Sequence, residues 1–169
     1  MRSTALCGKT QLNQMTPTDK FWGYLLPILE KTRQAHGVVY ITLSDADRLD
    51  RYLSDQRSEA VYPGVFVIRP EYRGSMADQA NSFAQFQTKL YVFCAAKADD
   101  FKNQDDAYQL AEQICADVVR DIQHDAFLGK CEFSLGNTQW KPFIYMSTDS
   151  AVGYELEFRI GIWMNDIFC

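Results

Sequence analysis

At 169 residues, the chain has room for one domain with a substantial core, since a domain of this size buries roughly 70% of the surface its unfolded chain exposes. Its 47% hydrophobic content excludes a disordered composition. The net charge of −5 argues against a phosphate-binding surface, whose affinity comes from a basic excess.

Residues 1–18 are polar and without periodicity, and read as a loose N-terminal arm ahead of a single α+β domain over 19–169. Thr16-Pro17-Thr18-Asp19 carries the chemistry of a helix start. Phe21, Tyr24, Leu25, Ile28, Leu29 and Thr32 share one helical face, with Pro27 awkwardly inside the helix and Gly37 at its end. The β-branched run 38–43 predicts a strand, and 45–57 a surface helix with Leu49, Tyr52 and Leu53 on one side. Tyr62-Pro63-Gly64 introduces an apolar central strand over 65–68, and 70–81 lacks periodicity and reads as a long exposed loop.

The longest strand is expected over 82–95. Phe86, Thr88, Leu90, Val92 and Cys94 alternate there with Gln85, Gln87, Lys89, Tyr91 and Phe93. A helix follows over 103–123, capped by Asn103 and striped by Ala107, Ala111, Ile114, Val118 and Ile122. Strands are expected over 131–135, 140–148 and 152–164, with a turn at 149–153 before the last. Tyr154, Leu156, Phe158, Ile160 and Ile162 then point one way and Glu155, Glu157 and Arg159 the other. Together these predict an α+β fold: a mainly antiparallel sheet of about five strands with two or three helices on one face.

Cys7, Cys94, Cys115, Cys131 and Cys169 are odd in number and form no CxxC pair, which reads as free thiols in a reducing compartment. No apolar run approaches the roughly 18 residues of a membrane span, so the chain reads as intracellular and no membrane partner is expected.

Few residues suggest chemistry. Gly8-Lys9-Thr10 has the end of a phosphate loop, but Ser3 stands where the first glycine belongs. His36 and His124 have no second ligand at metal-binding spacing. Asp149 with Glu157-Phe158-Arg159 is a distant approximation of a magnesium nuclease motif, with arginine in place of lysine. No catalytic residue, metal or cofactor is expected, and no specific nucleic-acid binding. The exposed-looking Arg69, Tyr72 and Arg73, and Trp163 and Phe168 near the C-terminus, are candidate contact residues. For the last two, packing on their own domain is the competing reading.

The run Tyr62-Pro63-Gly64-Val65-Phe66-Val67-Ile68, the stretch beginning Glu71-Tyr72-Arg73-Gly74 and the long strand ending Leu90-Tyr91-Val92-Phe93 come in that order. An amphipathic helix ending Asp121-Ile122 and a closing hairpin with Gly153-Tyr154-Glu155-Leu156-Glu157-Phe158 follow. This succession, over about 21–35 and 61–164, resembles the tail terminator proteins of long-tailed bacteriophages, with 38–60 as an insertion. The resemblance implies a small subunit that closes into a ring, usually six-fold (a hexamer), on the end of the tail tube. Such a ring stops tube polymerisation. Its implied partners are its own copies, the tail-tube protein and the head–tail connector protein. Its implied location is the tail or neck of the virion, and the host cytoplasm during assembly. The alternatives are another head–tail connector module and a small metal-dependent nuclease.

Replacing Tyr72 and Arg73 together by alanine is expected to leave the fold intact and weaken assembly. A double variant that unfolds, followed by circular dichroism, would place these residues in the core instead.

Overall fold

A computed structural model describes residues 15–45, 61–78, 81–145 and 151–168, the side chains of 75–78, 81, 145, 166 and 168 excepted. The predicted helix over 45–57 therefore lies, apart from Asp45, outside the described residues. So do most of the N-terminal arm, Cys7, Cys169 and Asp149.

Helix α1 (Pro17–His36) starts where its capping chemistry places it, so the last two residues assigned to the arm belong to the helix. The Thr16 hydroxyl accepts the Asp19 N–H at 3.2 Å, and the Asp19 carboxylate accepts the Thr16 N–H at 2.9 Å. This reciprocal box satisfies two backbone donors that helix geometry leaves unpaired. Those bonds to Thr16 hold the Asp19 carboxyl below its usual range. Gly37 ends the helix at φ 67°, a left-handed conformation that favours glycine, and its N–H donates to the Arg33 carbonyl. Pro27 is accommodated on the exposed side.

The strands are β1 (Tyr40–Ser44), β2 (Gly64–Ile68), β3 (Glu71–Asp78), β4 (Asn81–Ala95), β5 (Glu132–Phe133), β6 (Gln139–Tyr145) and β7 (Ala151–Trp163). They form one sheet in the order β1-β2-β4-β7-β5, with β3 also beside β4 and β6 also beside β7. One expectation needs correcting and another is refined, since the sheet is mainly antiparallel as expected. The sheet has seven strands among the described residues, not about five. It is also mixed, because β1 pairs parallel with β2. A parallel pair needs a long crossover, and the connection 45–63 supplies one, whereas short links make neighbours antiparallel.

Most of the stretch 70–81 is strand rather than loop, with 79 and 80 outside the described residues. Seven of the eight residues of β3 have a partner in β4, from Glu71 opposite Gln87 to Asp78 opposite Asn81, with an irregularity between Met76 and Asp78. Gly74 and the polar side chains hide this strand from a periodicity test, because an edge strand can be wet on both faces.

Helix α2 (Phe101–Phe127) is longer than expected at both ends. Its cap is Asp100, whose carboxylate accepts the Asn103 N–H at 3.0 Å, while Asn103 uses its side-chain oxygen on the Lys97 N–H. A four-residue helix, α3 (Asn165–Phe168), follows β7.

Both long helices pack on one face of the sheet. Phe21, Leu25 and Leu29 of α1 join Ala111, Ile114, Val118 and Ile122 of α2 over Phe86, Leu90, Val92, Leu156, Phe158 and Ile160. The Phe21 and Phe86 rings lie 5.2 Å apart. The helices run antiparallel, since Lys31 pairs with Asp121 at 2.6 Å and His36 with Asp117 at 2.7 Å. The His36 hydrogen bond, helped by Arg120, holds the Asp117 carboxyl below its usual range. The thiols of Cys94, Cys115 and Cys131 are free and buried among these residues. Burial alone pushes Cys94 up to about 12, which leaves it inert.

The pairing of β7 with β4 depends on Gly153. A Cβ there would stand 1.7 Å from the Val92 carbonyl oxygen, and that atom belongs to backbone that cannot swing aside. Gly153→Ala should therefore destabilise the protein by about 1–3 kcal/mol, the range for forced overpacking. Thermal melts would show this, and an unchanged midpoint would mean the strands can part there.

Candidate interaction surface

Along β4 and β7, residues that do not face the helices face the opposite way, and the register sets them side by side. Gln87 stands opposite Arg159, Lys89 opposite Glu157, and Tyr91 opposite Glu155. Their side chains form a continuous polar ladder. Arg159 Nε donates to Gln87 Oε1 at 3.1 Å, and Gln87 Nε2 donates to Glu157 at 2.6 Å. Lys89 Nζ lies 2.9 Å from Glu155 and 3.8 Å from Glu157.

Electrostatics follow from this contact. The bond to Glu155 raises Lys89 above its usual value, against the opposing effect of partial burial. Burial pushes the Glu155 carboxyl up, but the bonds from Lys89 and Tyr91 and the charges of Lys89 and Lys141 outweigh it, so Glu155 ends below its usual range. Glu157, one of the nuclease-motif residues, is thus engaged by Gln87 and Lys89. Among the described residues, no three His, Cys, Asp or Glu side chains lie close enough to hold a metal ion.

Beyond the ladder the same face is aromatic at both ends. Val61, Phe66 and Phe93 are buried there with Tyr40, Tyr91 and Phe143 packed around them. At the far end Phe83 lies over Gly161, where any Cβ would meet its ring, and meets Trp163 edge-on at 5.3 Å.

The candidate contact residues separate in space. Arg69 is exposed at the corner between β2 and β3, with its N–H donating to the Ser44 carbonyl. Tyr72 and Arg73 are adjacent in an extended strand, so they point to opposite faces. The Tyr72 ring sits 5.3 Å from that of Phe86 and remains 46% exposed. Arg73 lies on the ladder side. Alanine at Tyr72 therefore removes a packing contact that alanine at Arg73 does not, and the two are best tested apart. Trp163 lines a second groove with Met15, Tyr24 and Ile162 near the start of α1. Phe168 closes α3, and its side chain lies outside the described residues.

Arg73, Arg159, Gln85, Gln87, Glu71 and Tyr72 together line a groove of about 220 Å³ on the ladder face, across β3, β4 and β7. Arg159, which lines this groove, and the exposed Phe101 were not among the candidate contact residues. Phe101, at the first turn of α2, is 80% exposed. The signal for it was present in the sequence: at 3.6 residues per turn it stands about 240° round the helix from Ala107, well off the apolar stripe.

Lys89→Met leaves Glu155 and Glu157 without the cation that bridges them, with only the charge of Lys141 still acting on Glu155. Lys89 is 42% exposed and solvent screens it, so the cost should be about 1 kcal/mol, between an exposed pair and a stranded buried charge. The Lys89 contribution is complete below its usual value of 10.5 and fades as pH rises through its raised folded value. The Glu155 contribution is complete above 4.5 and fades as pH falls through its lowered one. Denaturant unfolding of the variant and parent should therefore differ most between those limits and converge in acid. A gap that is constant with pH would rule out the ladder as its origin.

No family model matches this chain, and no curated protein matches it.

Proposed function

We propose that this chain is a structural subunit of a phage or prophage virion, a tail terminator-like protein that closes into a ring on the tail tube and joins tail to head. The reading rests on the resemblance of its element succession to that family. One observation supports it most: β3 is an outer strand whose far side pairs with no described strand. Such a strand presents a row of backbone N–H and C=O groups ready for another chain, and here it carries an exposed aromatic ring and an exposed guanidinium. Heterologous contacts of that kind make rings when their rotation closes. A head–tail connector module of similar build is the second reading, since the same edge would serve a different ring. Among the described residues no helix is long and apolar enough to cross a membrane.

The test is electron microscopy of the purified protein mixed with candidate tail-tube subunits. Tubes should stop growing and carry a ring at one end. Tubes that elongate as if nothing had been added would overturn the reading. Magnesium-dependent DNA cleavage lost in Glu157→Ala would replace it with the enzymatic one.

A further inference from the structure

We propose that the groove across β3, β4 and β7 receives the N-terminal end of α2 from a second copy of this chain, so that copies join head to tail. The inference deepens the self-association in the reading above, and it rests on that reading.

The groove is smaller than the roughly 300–1,000 Å³ of small-molecule sites, which suits it to side chains. Its charge is unbalanced. Arg73 has no ion-pair partner among the described residues, and Arg159 uses only its Nε, on Gln87. That bond orients the Arg159 guanidinium and leaves its remaining donors for a carboxylate. Glu71 on the same groove offsets one of the two positive charges. Arginine is among the residue types that anchor contacts.

The complement lies elsewhere on the same molecule. Phe101 projects from the first turn of α2, with exposed Asp105 one turn further on and exposed Asp99 and Asp106 nearby in the chain, and none of the three carboxylates pairs with a described residue. Asp100 is committed to the helix cap, and Lys97 and Lys102 only partly offset this acidity. A helix end with an exposed apolar ring and unpaired carboxylates matches a groove that carries two guanidiniums.

The two surfaces cannot meet within one copy. The groove sits on the first half of β4, around Gln85 and Gln87, whereas Asn103 and Ala107 lie beside Cys94 and Ala95 at its other end. Eight strand residues separate Gln87 from Ala95, about 27 Å at 3.4 Å each. The contact is therefore heterologous, and each copy offers one donor end and one receptor end. That is the requirement for a closed ring.

Sedimentation of the full chain over a concentration series tests this, alone and in mixtures. The wild-type protein should associate, and high salt should weaken it. Arg73→Glu should weaken association at least about tenfold, roughly 1.4 kcal/mol. Asp105→Lys with Asp106→Lys should do the same from the other side. Mixed one to one, the two variants should recover association, because the intact groove of one meets the intact helix end of the other and the acidified groove meets the lysine-bearing end. Arg73→Ala is the milder second variant, and circular dichroism checks that each folds. A wild-type chain monomeric up to about 1 mM, the weakest range of specific binding, would overturn the proposal. So would variants that associate like wild type, or a mixture that stays monomeric. Rings that still cap tubes after Arg73→Glu would sink this contact alone, whereas wild-type oligomers that ignore tubes would sink the tail reading alone.

Discussion

The antiparallel register of β4 with β7, unbroken from Phe83 opposite Trp163 to Ala95 opposite Ala151, is the constraint on which the rest of the structure depends. It decides both faces of the sheet at once. On one face it aligns Phe86 with Ile160, Thr88 with Phe158 and Leu90 with Leu156, and the helices cover that apolar surface. On the other it aligns glutamine with arginine and lysine with glutamate. A slip of one residue would exchange the two faces along the whole strand, burying charges and exposing the core. Two glycines in β7 belong to the same constraint: Gly153 lets the backbones approach, and Gly161 makes room for the Phe83 ring.

The polar ladder follows from that register and shapes what the surface can do. Charges that might otherwise converge on a substrate are spent on neighbouring strands: Glu155 and Glu157 on Lys89, and Gln87 between Glu157 and Arg159. The residues left over stand at the edge, where β3 ends the sheet and Arg73 has no partner among the described residues. The histidine in contact with a carboxylate, His36, ties α1 to α2 far from that edge. The buried thiols are held protonated by the core around them. Uncommitted charged groups among the described residues include Arg73 on an outer strand and Asp105 and Asp106 on an exposed helix end, which are geometries suited to contact between chains.

Much of the fold was legible because periodicity is a local property. The alternation in β4 and β7 gave both strands, and Thr16-Pro17-Thr18-Asp19 marked the entry to α1. The stripe from Ala107 to Ile122 gave α2, though not its ends. Its cap went to Asn103 because both Asn103 and Asp100 are capping types, and only the position of Lys97 shows that the Asn103 side chain is already engaged. Strand β3 was missed because an edge strand with both faces wet has no hydrophobic period to read. The parallel pairing of β1 with β2 was missed because nothing in a short apolar run states the direction of its neighbour.

By itself the sequence determined which residues are strand or helix in the strongly patterned segments, which of them face a core, and that the aromatic and aliphatic content suffices to build one. Each of these depends on neighbours within a turn or two of the chain. Only the tertiary structure decided that Tyr72 and Arg73 face opposite ways, that Arg159 joins Arg73 across β4, and that Phe101 stands at the far end of the same strand. Those relations are set by register between segments tens of residues apart, where pairing energy and packing, rather than local preference, select the partner.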